Sequence, residues 1–139
     1  MTRDQQQASI NTPQKNVSSV LVTGGAGFIG SHLVDSLLAK GNHVTVIDDM
    51  STGLQTNLSL NDERLTLISG TVGRELESLD LKFDCIFHLA AAVGVKLVVD
   101  EPIRTIETNV LETSTILRFA SVHQTPILLA STSEVYGKS

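Results

Sequence analysis

The chain has 139 residues, and 15 Asp and Glu side chains against 10 Lys and Arg give it a formal net charge of −5. Hydrophobic residues make up 41% and charged residues 18%, which is typical of one globular domain with a real core. The negative charge argues against a general nucleic-acid binder, and one cysteine excludes an internal disulfide framework and a cysteine-rich zinc site. No apolar run approaches the roughly 20 residues of a membrane span, so we expect a cytoplasmic protein with no membrane partner.

The first 18 residues are polar and rich in Gln, with no apolar segment typical of a secretory signal. Such a segment cannot offset its ordering entropy by burial, so we predict a disordered tail over 1–18. From residue 19, apolar runs at 20–22, 44–47, 65–68, 85–89 and 127–130 predict five buried strands. Helical spacing predicts a helix over 28–40 that ends at Gly41, and a long helix from Pro102 to about His123. Weaker helical signals lie in 51–64 and 74–82.

Strands that are buried on both faces and separated by helices predict right-handed βαβ units. The fold class is therefore α/β, a doubly wound parallel sheet with helices on both sides. Apolar residues on the long helix form two stripes. The stripe expected to pack on the sheet comprises Ile103, Ile106, Val110, Leu117 and Ala120. The stripe on the other side comprises Leu111, Phe119 and Val122. The second stripe is either buried against a further helix or subunit, or consists of isolated exposed side chains.

A glycine-rich turn joins the first strand to the first helix, with glycines at Gly24, Gly27 and Gly30. A tight strand-to-helix turn needs backbone angles that glycine adopts at low cost. A side chain at 27 would hold a diphosphate away from the backbone, and glycine at 30 lets the helix lie close to the strand. The free N–H groups at the start of the helix then face the pyrophosphate. A glycine turn without a ligand is the alternative, but its place in the first βαβ unit favours a dinucleotide site.

An acidic pair, Asp48 and Asp49, ends the second strand 18 residues after Gly30. In dinucleotide-binding folds, a carboxylate at this sequence separation from the glycine turn accepts hydrogen bonds from the adenosine ribose hydroxyls. It also repels a 2′-phosphate, so the pattern favours NAD over NADP. The alternative for the pair is a solvated turn. Together, turn and acid predict a Rossmann-type domain over 19–139.

Five segments in this order resemble the NAD-dependent epimerase/dehydratase family, the extended short-chain dehydrogenases/reductases that act on nucleotide sugars. They are TGGAGFIGSHL (23–33), VIDDMSTG (46–53), HLAAAVGV (88–95), TNV (108–110) and ASTSEVYG (130–137). Within the family, STSEVYG is most similar to UDP-glucuronate decarboxylases and close to dTDP-glucose 4,6-dehydratases, whereas 4-epimerases more often have SSxxVYG. Glu134 is therefore the discriminating residue, unless it is only a solvated carboxylate at a strand end.

The resemblance implies a role for each matching position. The residues implied at the pyrophosphate are Gly24, Gly27, Phe28, Ile29 and Gly30. Asp48 is implied at the adenosine ribose and Asp49 near the adenine. Ala90, Ala91 and Ala92 are implied to pass beside NAD, and Asn109 to help organise the site. Thr132 is implied to hydrogen-bond the sugar hydroxyl that is oxidised, and Ser133 and Glu134 to lie where relatives carry acid/base residues.

The chain also departs from the family pattern. Thr71 stands where relatives often have an adenine-contacting Asp, and Glu112 stands where they often have glycine. The family's reaction uses Tyr and Lys four residues apart on the next helix, but the one tyrosine here is Tyr136, and a Lys four residues on would be residue 140. We therefore expect an N-terminal portion, truncated after about five strands, without the catalytic Tyr-Lys pair and the sugar-binding region.

The resemblance implies a whole enzyme that is a lyase or an isomerase. It would decarboxylate, dehydrate or epimerise a UDP- or dTDP-linked sugar through a transient 4-keto sugar, and the portion itself is expected to be inactive. A homo-oligomer through residues 101–123 is a further expectation. The four His residues have no metal-ligand spacing, so we expect no metal. The alternative function is a non-catalytic NAD-binding or interaction module.

Overall fold

The computed structural model of the protein describes residues 17–92, 99–132 and Gly137. The strands are β1 (Ser19–Thr23), β2 (His43–Asp48), β3 (Leu65–Ser69), β4 (Cys85–His88) and β5 (Ile127–Leu129). The helices are α1 (Phe28–Ala39), α2 (Val72–Ser78) and α3 (Pro102–His123), and a 3₁₀ turn spans Gln55–Asn57. These bounds confirm all five predicted strands and both predicted helices. Most of the predicted tail, and Ser133, Glu134 and Tyr136, lie outside the described residues.

The five strands form one parallel sheet in the order β3-β2-β1-β4-β5. The chain runs outward from β1 to β3 and then returns to β4 on the other side of β1. In open α/β sheets, ligands bind outside the carboxyl ends of the strands where the order reverses in this way. The topology therefore predicts a ligand site at the carboxyl ends of β1 and β4, where Thr23 and His88 are aligned neighbours.

Both faces of the sheet are covered, as the continuous apolar strands predict. On one face, Val20 and Val22 of β1 pack in a cluster with Val34 and Leu38 of α1. On the other face, Leu21 belongs to a second cluster with residues from α2 and α3. The α/β fold with helices on both sides of a parallel sheet is confirmed. Among the described residues, no helix combines the length and apolar character that crossing a membrane requires.

The predicted packing face of α3 is wrong. Ile103 and Val110 of the expected stripe are 72% and 61% exposed, and Ile106 and Leu117 are exposed as well. The residues of α3 that are buried are Thr105, Ile116 and Ala120, with Phe119 packed beside them. Leu111 and Val122, expected on the other side of the helix, are exposed. Ala120 is thus the one member of the first stripe that lies in the core.

The physical reason for this error is that the inward face of α3 is apolar only towards its C-terminal end. Towards the N-terminal end, the same face carries Thr105, Asn109 and Glu112, which line a cavity. A count of apolar residues at helical spacing therefore selects the wrong side.

Candidate functional site

The glycine turn between β1 and α1 is shaped by close backbone contacts. Gly24 has a φ of +71°, and a Cβ there would lie 2.7 Å from the amide nitrogen of Ala90 in the loop after β4. A Cβ on Gly30 would overlap the carbonyl oxygen of Gly24 and lie 2.7 Å from the Cα of Gly25. Glycine at 30 thus brings α1 against the turn itself, whereas the sequence predicted close approach to the strand.

Gly27 serves a different purpose, because a Cβ there would meet only the Gly24 oxygen, at 3.3 Å. It is the N-cap of α1 and makes no side-chain cap bond. The first N–H groups of a helix have no partner within the helix, so they are open to an anion at this end. Phe28 and Ile29, in the first turn of α1, are exposed and border the same cavity.

Asp48, the last residue of β2, holds two loops together with one carboxylate. The residue is 7% exposed. Oδ2 accepts a hydrogen bond from the Ala26 amide at 2.9 Å, and Oδ1 accepts one from the Met50 amide at 2.9 Å. The neighbouring Asp49 is exposed and accepts a bond from the Ser51 amide at 2.9 Å. A carboxylate has about four acceptor positions, so Asp48 retains capacity for a ligand hydroxyl.

The wall after β4 is fixed by polar contacts from β1 and α3. Thr23 Oγ1 lies 2.7 Å from His88 Nδ1 and accepts a hydrogen bond from the Ala90 amide at 3.3 Å. Asn109 of α3 binds Ala92 twice: Oδ1 accepts from the amide at 2.7 Å, and Nδ2 donates to the carbonyl at 3.2 Å. The Asn109 amide group is therefore committed to positioning this loop.

Burial lowers the pKa of His88, since the imidazolium form loses its hydration. The ring is therefore neutral at physiological pH, and a neutral imidazole protonated at Nε2 can accept a hydrogen bond from the Thr23 hydroxyl at Nδ1. We interpret His88 as a positioning residue for the Ala90 backbone.

These elements surround one cavity of about 770 Å³. Its lining includes every residue that the sequence analysis assigned to the cofactor. They are Gly24, Gly27, Phe28, Ile29, Gly30, Asp48, Asp49, Ala90, Ala91, Ala92 and Asn109. The lining after β5 comprises Ala130 and Ser131, while Thr132, the next residue, is exposed and lies beyond the lining. The predicted catalytic residue Glu134 lies outside the described residues.

Sequence reasoning missed the cavity residues of α3 other than Asn109. They are Arg104, Thr105, Thr108 and Glu112. Glu112 accepts a hydrogen bond at Oε2 from the Gly73 amide of α2 at 2.9 Å. The available signal was the helical spacing of polar residues at 105, 109 and 112, which continues into the buried Ile116 and Ala120.

The charges of the lining are mainly acidic. Asp48, Asp49 and Glu112 carry negative charge, and Arg104 is the only cation among the described lining residues. Arg104 is already paired with Glu101 at 2.8 Å. Within residues 17–92 and 99–132, no group of three or more His, Cys, Asp or Glu side chains is arranged to hold a metal ion.

The sequence profile of the family described as GDP-mannose 4,6 dehydratase matches residues 21–139. The chain belongs to this family. It is 40% identical over 126 residues to UDP-glucuronic acid decarboxylase 1 of Danio rerio, and the match covers 89% of this chain. The match covers 29% of that relative, so this dehydratase-family chain spans well under half of the relative's length.

Solved structures of nucleotide-sugar enzymes have the same fold. The UDP-N-acetylglucosamine 4-epimerase of Methanobrevibacter ruminantium is 37% identical with a TM-score of 0.81, over 88% of this chain and 40% of that one. The dTDP-glucose 4,6-dehydratase DesIV of Streptomyces venezuelae, solved with NAD bound, is 36% identical with a TM-score of 0.78. That match covers 87% of this chain and 41% of DesIV. The resemblance to epimerases, dehydratases and decarboxylases is thereby confirmed.

Proposed function

We propose that this chain is the NAD-binding portion of an enzyme that modifies a nucleotide sugar. The observation that carries the proposal is the convergence of three features on one cavity. They are the glycine turn, the N-terminus of α1 and the buried carboxylate of Asp48. The backbone at Gly24 and Gly30 has no room for a Cβ, and Gly27 leaves the start of the helix open to a diphosphate. The residues present therefore fit a dinucleotide.

Each wall of the cavity would hold one part of NAD. The N–H groups at the start of α1 would bind the pyrophosphate, with Gly27, Phe28 and Ile29 around it. Asp48 would accept hydrogen bonds from the adenosine ribose, and its negative charge beside that of Asp49 would disfavour the 2′-phosphate of NADP. The small side chains of Ala90, Ala91 and Ala92 would leave room for the nicotinamide half.

In the whole enzyme, bound NAD would supply a hydride acceptor and donor for the sugar C4 carbon. The substrate would be a UDP- or dTDP-linked sugar, and the outcome a decarboxylation, a dehydration or a 4-epimerisation. Thr132 would hydrogen-bond the C4 hydroxyl, and Glu134 would transfer a proton. The 139 residues contain no Tyr-x-x-x-Lys pair, so we expect no sugar conversion by these residues alone. Conversion of UDP-glucuronate, UDP-glucose or dTDP-glucose by the pure chain would contradict this.

Ligand-induced thermal stabilisation tests the cofactor proposal directly. At ten times its dissociation constant, a ligand adds about 1.4 kcal/mol to stability, which is worth on the order of 5 °C in Tm. We expect NAD to raise Tm and NADP to do so only at much higher concentration. If neither dinucleotide raises Tm, the proposal is wrong. If both do so equally, NAD binding stands but the proposed role of Asp48 against the 2′-phosphate does not.

We also propose that the exposed apolar face of α3 joins two copies of the chain. The face comprises Ile103, Ile106, Val110 and Leu117. Four apolar side chains along one helix face form a patch suited to a second helix. Sedimentation equilibrium should show dimers that Ile106→Asp dissociates and the neighbouring Glu107→Ala retains. A wild-type chain that stays monomeric would exclude this interface.

A further inference from the structure

The position of the base in the cavity follows from the positions proposed for the pyrophosphate and ribose. In the proposed function, the pyrophosphate would lie at the start of α1, beside β1, and the ribose at Asp48, at the end of β2. Because β3 is the next strand beyond β2, the base would extend towards the end of β3. The cavity lining there comprises Gly70, Thr71 and Val72 after β3, and Glu112 from α3.

Glu112 is held in a defined orientation at this end of the cavity. Its Oε2 accepts a hydrogen bond from the Gly73 amide at 2.9 Å, and Oε1 lies 3.5 Å from where a Cβ on Gly73 would be. The carboxylate therefore sits beside the short segment 71–73, and the residue is half-buried. A side chain that is already oriented loses little further entropy when it binds a ligand.

The chemistry of Glu112 restricts which base edge it can meet. An ionised carboxylate accepts hydrogen bonds and cannot donate them, whereas the Thr71 hydroxyl can do either. One bond from Gly73 leaves the carboxylate with further acceptor positions. It would attract an amino group and repel a carbonyl oxygen, and no described cation of the lining pairs with it, since Arg104 is paired with Glu101.

We propose that Glu112 is a specificity-determining residue that accepts a hydrogen bond from the 6-amino group of adenine. The proposal rests on the proposed function, because it requires a dinucleotide in this cavity. It assigns a ligand contact to a residue that also ties α3 to α2. The carboxylate selects adenine over a purine with a carbonyl at position 6.

The test compares NAD with nicotinamide hypoxanthine dinucleotide, in which a carbonyl replaces the 6-amino group. Calorimetry on the 139-residue chain should give NAD an affinity about 10- to 100-fold higher, the range expected when a charge-assisted hydrogen bond is replaced by repulsion. In Glu112→Ala, the ratio of the two affinities should fall to about one, since both dinucleotides keep their pyrophosphate and ribose contacts. Glu112→Gln keeps the shape and an acceptor oxygen without the charge, so its ratio should be intermediate.

Glu107→Ala is the matched control, because Glu107 is an exposed acid on the same helix outside the cavity lining. It removes the same charge and should keep the wild-type ratio. A wild-type chain that binds both dinucleotides equally, or prefers hypoxanthine, overturns the proposal while leaving the NAD site intact. So does a ratio that is unchanged in Glu112→Ala. Failure of the wild-type chain to bind either dinucleotide overturns the NAD site and this inference together.

Discussion

Replacing Asp48 with Ala should destabilise the empty protein as well as weaken NAD binding. The substitution removes the acceptor of two backbone amides, those of Ala26 and Met50, each at 2.9 Å. Ala26 is fully buried, so water cannot replace the lost bond, whereas Met50 is only partly buried. Leaving a buried donor unsatisfied costs about 1–3 kcal/mol. Taking Ala26 near the top of that range and Met50 near the bottom gives a loss of about 4 kcal/mol.

Urea denaturation without ligand measures this loss, and Asp49→Ala is its matched control. Asp49 is exposed and accepts one bond, from Ser51, which is also exposed. Water can satisfy that amide, so the control should change the free energy of unfolding by no more than about 0.5 kcal/mol. If the two variants unfold at the same urea concentration, the Asp48 hydrogen bonds do not contribute measurably to the stability of the fold. A loss of NAD binding in Asp48→Ala is then attributable to the ribose contact alone.

Three further predictions concern stability. In urea denaturation, Gly30→Ala should lower the free energy of unfolding by about 3 kcal/mol, because the added Cβ would overlap backbone atoms of the turn. Gly73→Ala is the control, since its nearest Cβ contact is at 3.5 Å, and it should be neutral or stabilising. Burial lowers the pKa of His88, so below about pH 6.5 the unfolded chain binds a proton that the folded chain does not. Stability should fall with decreasing pH through that range, and less steeply in His88→Asn; parallel pH profiles would contradict this. Gln124→Gly should raise Tm by a few degrees, gaining about 0.5–1 kcal/mol, because Gln124 caps α3 with a φ of 54°; a lower Tm would show that its bond to Ser121 matters more.

The fold could be predicted from the sequence because each element carries a local signal. The strands β1 and β2 are buried on both faces of the sheet. Their sequences are therefore continuous apolar runs, which predict strands even though apolar and polar residues do not alternate. Gly41 ends α1 with a φ of +89°, as its place after the last apolar turn predicts. These local signals do not determine the strand order β3-β2-β1-β4-β5, because right-handed βαβ units are compatible with more than one order of a doubly wound sheet.

The site could be predicted only where its residues are defined by backbone geometry. Gly24 and Gly30 are identifiable because no other residue fits the turn. Asp48 is identifiable because it ends a strand at a characteristic sequence separation from the glycine turn. Glu112 is neither required by the backbone geometry of a turn nor placed at the end of a strand. Its importance depends on a contact with Gly73, 39 positions away in the sequence, which only the packing of α3 against α2 creates.

The contacts that shape the cavity share a physical character that hydrophobic patterning cannot detect. Asp48 binds the backbone of Ala26, Asn109 binds the backbone of Ala92, and Glu112 binds the backbone of Gly73. In each case a polar side chain from one element fixes the main chain of a different segment, which is a loop at Ala26 and Ala92 and the first turn of α2 at Gly73. Segments held in this way are ordered before a ligand arrives, so binding incurs less of the entropy cost of arranging them. The same bonds therefore contribute to stability in the empty protein and to affinity for the dinucleotide. For this reason, a variant at any of the three positions must be assayed for unfolding before its effect on binding is interpreted.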